Sequence, residues 1–174
     1  SEDEDMVRDV KRLIDEVRKL IERVKREVED LIRRLNELDE RVVRTSEELA
    51  RDVKRLVDAG LSREEVEKVV RESIERTRRL AKELDERNRD VLREVKRLVA
   101  EVEKVIRDVL KAVEEKLDSE DVERLKEEIK ELLDRARRTI EELERRIREN
   151  VKRSRKKIED LVRRHKKILD EARK

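Results

Sequence analysis

The chain has 174 residues, 57% of them charged with 51 Lys and Arg against 49 Asp and Glu, and it lacks Phe, Trp, Tyr, Pro and Cys. The near balance of charge argues against a polyelectrolyte role for the whole chain, and without cysteine there are no disulfides and no thiolate metal sites. No apolar run approaches the ~20 residues of a bilayer span, and no signal-peptide pattern is present, so a soluble chain is expected, with no compartment indicated.

So high a charge would suit disorder. The Leu, Ile, Val and Ala residues, however, recur at steps of three and four with helical periodicity, which disorder does not maintain. The chain therefore reads as all-α. Helix 1, about residues 2–59, opens on an acidic Glu2-Asp-Glu-Asp5 turn that suits the helix dipole. Its stripe runs through Val10, Leu13, Val17, Leu20, Val24 and Val28 and returns at Leu31, Leu35 and Leu38, flanked by a second row at Ile14, Ile21, Ile32, Val43, Ala50 and Val57. The pattern repeats after 18 residues, which is five turns at 3.6 residues per turn, the period of an undistorted helix. A break follows at Asp58-Ala-Gly60-Leu-Ser62. Gly60 can take the left-handed conformation that ends a helix, and Ser62 with Glu65 forms a capping box that starts the next one.

Helix 2, about 63–117, carries the same steps from Val66 to Leu117. Asp118 or Ser119 is the expected N-cap of helix 3, about 120–173, whose stripe runs from Val122 to Ala172. Two short connections between helices of similar length predict a single domain over 1–174, an elongated antiparallel up-down-up three-helix bundle of nearly straight helices.

Uncharged polar residues interrupt the stripes. In an antiparallel pair, facing residues keep a constant sum of residue numbers, fixed by the turn. That rule sets Asn88 opposite Asn150, Asn36 opposite Asn88, Ser73 opposite His165 and Ser46 opposite Thr77. Two polar layers are expected: Asn36, Asn88 and Asn150 with Ser154, and Ser46, Ser73, Thr77 and His165 with Thr45 alongside. Thr139 finds no polar partner by this rule. An aliphatic stripe that repeats can slip by one repeat, whereas a polar layer penalises misregister, so these residues read as register keys. His165 lacks the second histidine, cysteine or nearby acidic residue of a metal site, and a packed bundle offers Ser73 no cleft or oxyanion hole. No metal, cofactor or catalytic residue is expected.

The long stripes, the Val/Leu/Ile core, near-equal helices, the minimal Asp58–Ser62 loop, the capping box and the Glu/Lys/Arg surface together resemble computationally designed, parametrically generated helical bundles with buried hydrogen-bond networks. The resemblance covers the whole chain. It implies a scaffold with no natural biochemical function, monomeric, needing no partner, nucleic acid or membrane. Two alternatives accompany it. An interaction module, a homo-oligomer or half of a designed assembly, would leave an apolar flanking row exposed. A binder of anionic polymers would use the segment from Val151 onward, where 11 basic residues stand against 4 acidic ones.

Overall fold

The computed structural model describes residues 2–116 and 120–172 as three α-helices: α1 (Glu2–Asp58), α2 (Arg63–Lys116) and α3 (Glu120–Ala172), with no strand among the described residues. α1 ends one residue earlier than expected, because Ala59 belongs to the turn. The caps assigned to Asp118 and Ser119 lie outside the described residues.

Packing divides the chain into two compact units, each with a segment of all three helices. Unit 1 comprises Ser1–Leu31 with Val91–Arg146, and unit 2 comprises Ile32–Asp90 with Ile147–Lys174.

The buried positions keep the 18-residue spacing. On α1, Val10, Val28 and Ser46 are buried, as are Ile14, Ile32 and Ala50. On α2 the series Val66, Leu84, Val102 and on α3 the series Leu125, Leu143, Leu161 do the same. Val and Ile, at half of these places, carry lower intrinsic helix propensity than Leu or Ala. The helices therefore draw their stability from burying this face, each fully buried aliphatic side chain contributing roughly 1.5–3 kcal/mol. On α1 the expected stripe is buried at Val10, Val17, Val24, Val28, Leu35, Val42, Ser46 and Val53, but part of the flanking row replaces its leucines. Ile14, Ile32 and Ala50 are buried, while Leu13, Leu31 and Leu49 are half-buried and Leu56 is exposed.

In unit 1, Arg18 of α1 pairs with Glu128 of α3, and Arg137 of α3 lies 3.8 Å from Glu103 of α2. Arg97 bridges Glu94 and Glu101 along α2, and its hydrogen bond to Glu94 holds that carboxyl below the usual carboxylate range. These groups are exposed, so they tune the surface more than they hold the fold.

Unit 2 contains the described turn. The Ala59 amide donates to the Arg55 carbonyl (3.0 Å) and the Gly60 amide to the Val57 carbonyl (3.1 Å), closing α1. Gly60 has φ +89°, the left-handed region that L side chains avoid. Ser62 Oγ then accepts from the Glu65 amide at 3.3 Å and the Ser62 carbonyl from the Val66 amide at 2.9 Å, starting α2. Only this forward bond of the expected capping box is found among the described residues. Beneath the turn Val53, Val66 and Val70 form a buried cluster against Ile168 and Leu169 of α3. Within unit 2, α2 is antiparallel to both neighbours: Ser73 meets His165 while Asp85, further along, meets Arg155, which is earlier in α3. α1 and α3 run parallel, with Asn36 beside Asn150 and Ala50 sharing a groove with Arg164.

A Cβ added at Gly60 would meet no atom within 4 Å, so substitution there tests backbone strain alone. Gly60→Ala is expected to lower stability by ~1 kcal/mol and Gly60→Asn by less, since Asn tolerates the left-handed region. Chemical denaturation of the two variants checks the order.

Candidate functional site: buried polar residues

All six buried polar side chains among the described residues, Ser46, Ser73, Thr77, Asn88, Ser154 and His165, lie in unit 2. The buried side chains described in unit 1 are aliphatic, and Thr139 there is only half-buried. The polar residues expected to form two layers thus stand in one half of the sequence pattern, toward Gly60.

The most defined contact joins α2 to α3. Ser73 Oγ lies 2.6 Å from His165 Nε2, and His165 Nδ1 lies 2.8 Å from the Leu161 carbonyl one turn back. A carbonyl only accepts, so Nδ1 carries the proton. In the neutral ring Nε2 is then the acceptor, and Ser73 donates its hydroxyl proton to it. Both side chains are closed to solvent, at 0% and 4% exposure. This is the pairing the constant-sum rule places on these helices. A serine donating to an imidazole is also how a base activates a nucleophile. Here the ring is oriented by a main-chain carbonyl, and no substrate carbonyl could reach Oγ without parting the helices.

The other two members of this layer differ. Ser46 Oγ and Thr77 Oγ1 are buried and have no hydrogen-bond partner. They do not bond each other as their facing positions suggest, and Thr45 is exposed. Hydrogen bonding in this layer is therefore one pair with two unpartnered hydroxyls beside it.

The asparagine layer is also rearranged. Asn150 Nδ2 donates to Asn36 Oδ1 at 2.9 Å, directly between α3 and α1, and both residues are half-buried. Arg153 donates to Asn150 Oδ1 at 2.7 Å from the solvent side. Ser154 Oγ donates to the Asn150 carbonyl at 2.8 Å, a bond within its own helix. Asn88, expected to join Asn36 and Asn150, is buried at 5% exposure, and no hydrogen bond of its side chain is found among the described residues. Sequence reasoning also passed over Asp39, whose Oδ1 is buried without a partner. One acidic residue in a chain so rich in them gives no signal of its own.

No group of three or more His, Cys, Asp or Glu side chains that could hold a metal ion is found among the described residues. No helix there is long and apolar enough to cross a membrane.

The fold and the buried residues define a three-helix, all-α chain with an aliphatic core and polar insertions in one unit. No family model and no curated protein matches it. Among solved structures it is similar to one described as a computationally designed three helix bundle, with 24% sequence identity over 98% of this chain and 79% of that chain and a TM-score of 0.38.

Two measurements test the polar geometry. An unpartnered buried hydroxyl costs about 1–3 kcal/mol, so Thr77→Val, which swaps that hydroxyl for a methyl, is expected to raise stability by ~1 kcal/mol. Ser73→Ala and His165→Leu each strand a partner and are expected to cost about 1–3 kcal/mol, with the double variant losing less than the two together. A double-mutant cycle by denaturant unfolding reads the coupling.

Proposed function

We propose that this chain is a designed structural scaffold, with no natural biochemical reaction, whose aliphatic core supplies stability and whose buried polar residues select the register of unit 2. The observation that carries this reading is the spacing of buried positions, which returns every 18 residues on all three helices, as in Val10, Val28 and Ser46. A periodic core of that kind stabilises a slipped pairing almost as well as the right one. Polar side chains that meet partners in only one alignment, Ser73 with His165 and Asn36 with Asn150, remove that degeneracy.

A monomeric state is part of the proposal. It is supported by the flanking rows that an interaction module would expose: Ile14 and Ile32 are buried, and Ile21, Ile74, Ala81, Leu92, Leu133, Val151 and Leu169 are half-buried, none fully exposed. The exposed large apolar residues Met6, Leu56 and Val105 are scattered over α1 and α2. Scattered single residues do not make a seam. The Ser73–His165 pair is a hydrogen-bonded staple in this reading, and no enzymatic role is assigned to it.

The experiment replaces Asn36, Asn88, Asn150 and His165 by Leu and Ser46, Ser73 and Thr77 by Ala, Ala and Val. The melting temperature is expected to stay equal or rise, while amide NMR spectra show more than one set of peaks or light scattering shows new oligomers. A variant that stays a single well-dispersed monomer contradicts the register role. A dimer mass for the parent chain by size-exclusion chromatography with light scattering contradicts the monomer.

A further inference from the structure

We propose that the α1–α3 face of unit 2 binds the phosphate backbone of duplex nucleic acid. Charge is unevenly divided between the units: unit 2 contains 28 basic and 21 acidic residues, and unit 1 contains 23 and 28. The excess comes from the segment after Asn150. Basic residues near a helix C-terminus ordinarily suit the dipole, an effect confined to the last turn. The last turn of α3 contains no basic residue and carries Asp170 and Glu171 instead. The dipole therefore does not account for Lys152–Lys157 or Arg163–Lys167.

The fold adds cations from a second helix. Arg51 and Lys54 of α1 line a groove of about 430 Å³ with Arg164 of α3, over a small floor of Ala50 and Ile168, and Glu47 is the one carboxylate on its wall. None of these three cations has an ion-pair partner among the described residues. About 60–120° around α3 from Arg164, Lys152, Lys156, Arg163 and Lys167 are exposed at spacings of four and seven on the outer face of the helix, with Arg163 paired to Asp160 at 2.8 Å. From 152 to 167 the helix rises ~22 Å at 1.5 Å per residue, a length of about six base pairs of duplex axis, so the four outer cations and the three of the groove can meet about six phosphates drawn from both strands.

Duplex nucleic acid is favoured over an anionic bilayer because interfacial binding is strengthened by an apolar face beside the charges, which this surface lacks. Leu56 is the one exposed large apolar side chain described in unit 2, and it lies on α1. With no aromatic residue in the chain for stacking, the contacts are to phosphate and carry no sequence preference.

The test is fluorescence anisotropy of the whole chain with a labelled duplex of about 20 base pairs, long enough to span the face. Binding is expected in the micromolar range at 50 mM salt, weakening ~10³-fold by 200 mM as about six phosphates are neutralised. Reversal at the groove, Arg51→Glu with Lys54→Glu and Arg164→Glu, is expected to cost at least about tenfold, with the three Gln substitutions giving a smaller loss in the same direction. Three exposed reversals in unit 1, Lys11→Glu, Lys19→Glu and Lys104→Glu, change net charge equally and are expected to cost much less. Circular dichroism checks that each variant keeps its helices. Equal losses from the two triple reversals, no binding at 50 mM salt, or tighter binding to phosphatidylserine vesicles than to duplex would overturn the proposal.

Discussion

An α-helix of 3.6 residues per turn presents the same face every 18 residues, and most buried positions of α1, α2 and α3 recur at that spacing. The core needs no distortion of any helix to stay covered, so Val and Ile can be used throughout despite their modest helix propensity. The same regularity has a cost. A core that maps onto itself after one repeat contains little information about which repeat should face which. On the proposed reading, stability and specificity are supplied by different residues in this chain, the first by aliphatic side chains in both units and the second by a few polar groups in unit 2.

Those polar groups show how narrow the margin is between a key and a defect. Ser73 and His165 satisfy one another, and the ring's second nitrogen is held by the Leu161 carbonyl, so every polar atom of the imidazole has a partner. Ser46 and Thr77, equally buried, have none. A bonded pair nets about 1 kcal/mol, and a stranded hydroxyl costs as much or more. The layer as a whole therefore adds little to stability, and in the register proposal it is the one pair that discriminates.

The helix limits, the Gly60 turn, the Ser62 cap and the Ser73–His165 pairing were legible in the sequence because each follows from local chemistry or from counting across one tight turn. The Asn36–Asn150 bond was not. α1 and α3 are joined by no turn, and counting through α2 placed Asn88 between them, whereas the parallel helices of unit 2 meet directly there. Which of two adjacent apolar residues, Leu13 or Ile14, Leu31 or Ile32, turns inward was also hidden. They stand about 100° apart on the helix, and the choice depends on where two neighbouring helices lie together. Whether Ser46 reaches Thr77 depends on rotamers and on how closely two helices approach, which no sequence pattern encodes.

The Ser73–His165 pair shows how completely burial decides what a constellation means. Its bond has the length and donor direction of a nucleophile held by its base, and a carbonyl orients the ring as a third group would in a triad. What is missing is access. In an open cleft the same bond would be strained against water and substrate, and its use would lie in the proton it can move. Between packed helices the proton has one place to go, Nε2, and the hydroxyl one acceptor. A proton with a single acceptor fixes an alignment, so the contact that would be chemistry at a surface becomes, at 0% exposure, a statement about which turn of α2 lies against which turn of α3.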